Sequence, residues 1–186
     1  KLRYYSLKRR IKPKMEHLLI SMGGIDQYNA TGKVLESVQY SSLPKNCRIT
    51  IVMGHAFPWL DKIREQVEKL AWPTELKVNA MNMAQLMTDS DLAIGTAGST
   101  AWERCCLGLP AIMIALAANQ RDIGLMLEKE KAVILIQEIA DVKKAIRLLC
   151  DSGEKLSDLS LASRNITDGT GVAKVLRSME QLYVAN

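Results

Sequence analysis

The sequence predicts an α/β fold, Rossmann-like, with a parallel sheet of about six strands and helices on both faces. Three observations predict it. Short apolar runs alternate with segments of helical period along most of the chain. The runs are apolar at nearly every position rather than every second one, as in strands covered on both sides. Glycine-rich or polar turns follow the strands, and sheets of this kind bind ligands outside the carboxyl ends of their strands.

The elements follow in order. "HLLISM" (17–22) is the first strand, followed by the loop "GGIDQYN" and a helix over about 30–40. "RITIVM" (48–53) is the second, then "GHAFPW" and a helix over 60–71 that Pro73 closes. "ELKVN" (75–79) is a short third strand before a short helix at 83–88. "DLAIG" (91–95) is the fourth, with a helix over 100–107. "AIMIA" (111–115) is the fifth, with a loop "AANQRD" and a helix over about 122–129. "AVILI" (132–136) is the sixth, and "DVKKAIRLLC" (141–150) opens the closing helices.

Charge is placed unevenly. Lys1, Arg3, Lys8, Arg9, Arg10, Lys12 and Lys14 put seven positive charges into the first fourteen residues, and removing them from the formal +5 leaves −2 elsewhere. A nucleic-acid binder spreads basic residues over a folded face with aromatics between them, and aromatics here are only 5%. Residues 1–16 therefore read as a solvated basic linker or an arm toward a partner domain, and 17–186 as a ligand-binding domain. The chain opens on Lys1 rather than a methionine and reads as part of a longer protein. Cys47, Cys105, Cys106 and Cys150 show no metal spacing and read as small core thiols of a reducing cytoplasm. No stretch reaches the roughly 20 apolar residues of a membrane span. No metal, cofactor or nucleic-acid partner is expected.

Chemistry is sought in the loops at the carboxyl edge. Gly23 and Gly24 follow the first strand, where glycine permits positive φ and a helix start offers N–H groups to an anion. A tight strand–helix turn explains them equally well. Gly98, Ser99 and Thr100 repeat the device after the fourth strand, adding two hydroxyls, although Ser99 or Thr100 could simply cap its helix. Glu103 has the spacing of a capping box and equally that of a carboxylate receiving two ribose hydroxyls. Arg104 reads as a surface charge. Asn119 and Gln120 are amides suited to sugar or phosphate oxygens, though a polar loop without a special role is the commoner finding. His17 stands at the amino edge and reads as structural, whereas His55 stands at the ligand edge. No triad or metal cluster can be drawn from these two histidines, so no general base is expected in this chain.

Together, "ISMGGID", "AIGTAGSTAWERCCLGLPAI", "ANQ" and "ITDGTGVAKVL" resemble the carboxyl-terminal half of the UDP-sugar hydrolase of pseudaminic acid biosynthesis. That family is related to the peptidoglycan N-acetylglucosaminyltransferase and to spore-coat polysaccharide proteins. "YYSLKRRI" resembles the segment joining its two halves. The resemblance implies the C-terminal domain of a glycosyltransferase-B-type fold and a UDP-sugar ligand, without metal. It assigns Glu103 to the ribose hydroxyls and Gly98, Ser99 and Thr100 to the diphosphate. Gly23 and Gly24 would face the same cleft, and backbone at Ala80, Met81, Asn82 and Met83 would hold the uracil. Asn119 and Gln120 would lie near phosphate or sugar. The family's catalytic histidine belongs to an amino-terminal half, the partner domain toward which the final helix would pack. Two other readings stay open. One is the donor half of a UDP-sugar glycosyltransferase. The other is a non-enzymatic interaction or receiver-type module, disfavoured because strand one ends in Gly-Gly and strand five in alanines.

Overall fold

A computed structural model describes residues 2–9 and 14–184. Its sheet contains β1 (His17–Ser21), β2 (Arg48–Met53), β3 (Thr74–Val78), β4 (Leu92–Thr96), β5 (Ala111–Ile114) and β6 (Ile134–Ile136). The strands lie in the order β3-β2-β1-β4-β5-β6, and every neighbouring pair is parallel. The helices are α1 (Leu2–Lys8), α2 (Ala30–Gln39), α3 (Leu60–Glu68), α4 (Met83–Asp89), α5 (Thr100–Leu107), α6 (Ala118–Lys129), α7 (Val142–Cys150), α8 (Gly153–Ile166) and α9 (Gly171–Val184). The α/β sheet predicted from alternating runs is therefore present.

Successive strand side chains point to opposite faces, and each face has its own core. Leu18, Ile20, Ile49, Ile51, Ile94, Ile112 and Ile114 pack with Val34, Val38, Ile63 and Ile146 of α2, α3 and α7. Leu19, Val52, Ala93, Ala111 and Met113 pack with Met87, Ala101, Cys105 and Leu127 of α4, α5 and α6. This double covering is why the central strands carry no polar alternation.

The basic head departs from a solvated linker. Leu2 and Tyr5 lie against the second core, and α1 packs on α4 and α5. The Arg9 guanidinium is buried; it donates to the Gly108 carbonyl at 2.7 Å, Ser160 Oγ at 3.2 Å and the Ser90 carbonyl at 3.0 Å. Arg164 returns a bond to the Arg9 carbonyl at 2.7 Å. Charge density alone predicted solvent, but Leu2, Tyr5 and Arg9 share one helical face, and that spacing is the signal for packing. Lys1, Arg10 and Lys12 lie outside the described residues. At the other end, α9 exposes Val172, Val175, Leu176 and Met179, spaced i, i+3, i+4 and i+7 on one face.

Candidate functional site

Strand order reverses direction between β1 and β4, whose carboxyl ends lie side by side with Ser21 opposite Gly95. From that point β1 leads toward β2 and β4 toward β5, so their loops diverge and open a crevice at the rim. Both glycine turns singled out in the sequence border this crevice.

The turn after β4 sits at the surface. Ala97 is buried and its N–H donates to the Ile114 carbonyl at 3.3 Å, anchoring the turn to β5. Gly98 and Thr100 are half-buried and Ser99 is exposed. Among the described residues the N–H groups of Gly98, Ser99 and Thr100 have no protein acceptor, and neither hydroxyl caps α5. The Glu103 carboxylate is half-exposed and likewise makes no hydrogen bond or ion pair among the described residues. Neither the capping box nor a simple cap is formed. What remains is three unpaired amides and two hydroxyls at a helix amino terminus, with a carboxylate one turn on that makes no hydrogen bond or ion pair and acts on Arg104 only through its field. Unpaired N–H groups there carry partial positive charge and favour an anion.

The turn after β1 differs. Gly23 has φ +105°, in the region that suits glycine, and Gly24 is exposed. The start of α2, however, offers no free amides. Asp26 Oδ1 accepts from the Ala30 N–H and Oδ2 from the Thr31 N–H, both at 2.7 Å. Asn29, at φ 52°, accepts from the Gly32 N–H at 3.2 Å. The expectation of an anion site at this helix start is corrected, because a carboxylate already occupies it. The cue was in "GGIDQYN", where an aspartate precedes the helix by one turn. The neighbouring loop is equally close: a Cβ on Gly54 would lie 2.0 Å from the Gly24 carbonyl oxygen.

The other candidates lie along the same edge. The loop after β3 carries half-buried Ala80, exposed Asn82, and Met81, which is 86% exposed, and half-buried Met83 opens α4. Asn119 and Gln120 belong to the first turn of α6 rather than to a loop, because Gln120 Oε1 accepts the Leu116 N–H at 3.0 Å and tightens the helix start. Asn119 is exposed beside a cleft of about 270 Å³ lined by Leu116, Ala118, Arg121 and Gln137. A larger hollow of about 440 Å³, lined by residues such as Lys33, Glu36, Glu138 and Lys143, shares no residue with either crevice loop. His55 is exposed after β2. His17 is buried at the opposite edge, as expected of a structural histidine. Its Nδ1 is 3.0 Å from the Asp89 carbonyl and must donate, so Nε2 accepts from Thr50 Oγ1 at 2.8 Å.

Arg104 was missed. Read as a surface charge, it is 1% exposed and donates through Nη2 to the Thr96 carbonyl. The space it fills exists because residue 95 is glycine: a Cβ there would lie 2.5 Å from Arg104 Nη1 and 2.7 Å from the Ser21 carbonyl oxygen. Gly95 in an otherwise apolar strand was the available signal.

Residues 22–165 match the glycosyltransferase family 28 C-terminal domain. The chain is 25% identical over 180 residues to the spore coat polysaccharide biosynthesis protein SpsG of Bacillus subtilis, covering 93% of this chain and 52% of that protein. It is 26% identical over 172 residues to the UDP-N-acetylglucosamine--N-acetylmuramyl-(pentapeptide) pyrophosphoryl-undecaprenol N-acetylglucosamine transferase of Sulfurovum sp., covering 89% of this chain and 49% of that one. The crystal structure of MurG from Acinetobacter baumannii superposes with a TM-score of 0.76 at 16% identity, over 97% of this chain and 53% of that chain. The chain thus spans about half the length of each of these relatives. With a family match across most of its length and the sheet of a glycosyltransferase-B C-terminal domain, the chain belongs to the glycosyltransferase family 28 C-terminal domain family.

Proposed function

We propose that this chain is the donor-binding half of a UDP-sugar glycosyltransferase, with the diphosphate lying on the turn after β4. One observation carries the reading: the unpaired amides of Gly98, Ser99 and Thr100 stand at the switch point with an unpaired Glu103 on the same helix. Phosphate oxygens match the amides and hydroxyls, and the carboxylate matches two ribose hydroxyls. Ala80 to Met83 would border the uracil by their backbone, Gly23 and Gly24 would face the diphosphate, and Asn119 and Gln120 the sugar.

In such a transfer the bond from the anomeric carbon to the diphosphate oxygen breaks, and the electron pair leaves with UDP. An acceptor oxygen bonds to that carbon, and its proton passes to a base supplied by another domain. This chain's contribution is to stabilise the charge growing on the departing diphosphate, through donors fixed in place beforehand. The exposed stripe of Val172, Val175, Leu176 and Met179 on α9 supports docking against that amino-terminal domain. The reduced, mainly buried cysteines support a cytoplasmic setting.

Transfer is preferred to the hydrolysis suggested by the "GSTAWER" and "GLP" run. The family match is to glycosyltransferases, and the Sulfurovum relative is named as one. Hydrolysis of a pseudaminic acid precursor would use the same donor site, with water in place of the acceptor.

Amide spectroscopy tests the site. Adding UDP to the ¹⁵N-labelled protein shifts the Gly98, Ser99 and Thr100 amide signals and leaves those of Ala30, Thr31 and Gly32 in place. Shifts confined to the α2 amides contradict the assignment.

A further inference from the structure

We infer that Arg104 is the positioning cation of the diphosphate cradle, a buried positive charge that a bound pyrophosphate group neutralises. The inference deepens the proposed donor site and rests on it.

The guanidinium is lodged where β1 and β4 end. It contacts the Thr96 carbonyl, the last of β4, and occupies the space over Gly95. Thr96 leads directly into the turn with the unpaired amides. Among the described residues no carboxylate pairs with Arg104, and its Nε, though buried, has no acceptor. Glu103 is its chain neighbour, but adjacent helix residues point about 100° apart and the two form no ion pair. Burial lowers the Arg104 pKa to about 10, which still leaves it charged at neutral pH.

A buried cation without an ion-pair partner carries a desolvation cost, which here only the fields of Cys105 and Glu103 oppose. Removing the Arg104 charge should therefore leave the fold intact. The charge matters to an anion placed above it, because low-dielectric surroundings screen it weakly. Its bond to the Thr96 carbonyl also fixes where the turn begins. Arg104 thus acts through field and geometry rather than by touching the ligand.

The test compares wild-type protein with R104Q and R104K, titrated calorimetrically with inorganic pyrophosphate and with UDP. Glutamine keeps a donor for Thr96 and removes the charge; lysine keeps the charge. The expected result is a melting temperature for R104Q within a few degrees of wild type or above it. Its pyrophosphate affinity falls at least five-fold, and R104K retains more affinity than R104Q. R104M, similar in volume, replaces R104Q if the glutamine variant does not fold. Four results overturn the inference: neither neutral variant folds, the neutral variant stays within five-fold of wild type, R104K is as weak as the neutral variant, or wild type binds no pyrophosphate. A wild type that binds pyrophosphate but prefers UDP no more than ADP contradicts the uridine reading and leaves the role of Arg104 standing.

Discussion

Gly95 and Arg104 share one volume: the Cβ that glycine lacks would stand 2.5 Å from the arginine Nη1. The strand that ends at the crevice is thereby shaped around the side chain of the helix that follows it. Gly95→Ala cannot be absorbed by moving the arginine alone, because the Ser21 carbonyl oxygen would be only 2.7 Å from the new methyl. Overpacking of this kind destabilises by about 1–3 kcal/mol. Denaturant unfolding should register that loss, together with weaker UDP binding as the turn shifts.

Glu103→Ala separates binding from stability. The carboxylate makes no hydrogen bond or ion pair among the described residues, so its loss removes its favourable position near a helix start, about 0.3–1 kcal/mol, and its attraction to the buried Arg104. Hydrogen bonds to charged groups contribute about 1.5–3 kcal/mol each, so losing contacts to the ribose should weaken UDP at least ten-fold. Thermal melting and calorimetry together check both halves. A large stability loss with unchanged affinity would return Glu103 to a capping role.

Asp26→Ala should do the reverse. It strips two acceptors from the start of α2, and a lost cap costs about 1–2 kcal/mol. UDP affinity should not fall, since no ligand contact is removed. Urea unfolding and UDP titration of the same variant measure the contrast.

The pH dependence of stability follows from His17. Burial pulls its pKa below the ordinary value, the Asp89 carbonyl bond opposes this in part, and the fold holds the ring neutral. An unfolded chain takes up the proton near pH 6.5, whereas the folded one does so only at lower pH. Between those points the unfolded state binds more protons. The stability is therefore complete above about pH 7 and is lost as pH falls. Unfolding free energies at about pH 7.5 and 5.5 should show that decline, and His17→Asn should flatten it.

How much of this was legible in the sequence depended on the range of the forces involved. The central strands and their order of appearance were readable because burial on two faces leaves an unbroken apolar run. The turn at Gly98, Ser99 and Thr100 was readable because its residue types are local. Arg104 was not, since its burial depends on the gap over Gly95 and on the end of β1, far back in the chain. Arg9 was misread for a similar reason: its acceptors, the carbonyls of Ser90 and Gly108, are more than eighty residues away. The α2 cap was local, but Gly23 and Gly24 drew the reading away from Asp26. The start of α6 was misplaced by a turn because a glutamine side chain bond, not a capping residue, sets it.

One titration bears most directly on the donor site: UDP, UMP and ADP offered by calorimetry to the wild-type chain and to Glu103→Ala. UDP should bind wild type more tightly than UMP or ADP, and the variant should lose at least a factor of ten for UDP. Equal affinity for all three nucleotides, or UDP held no better than inorganic phosphate, would contradict it.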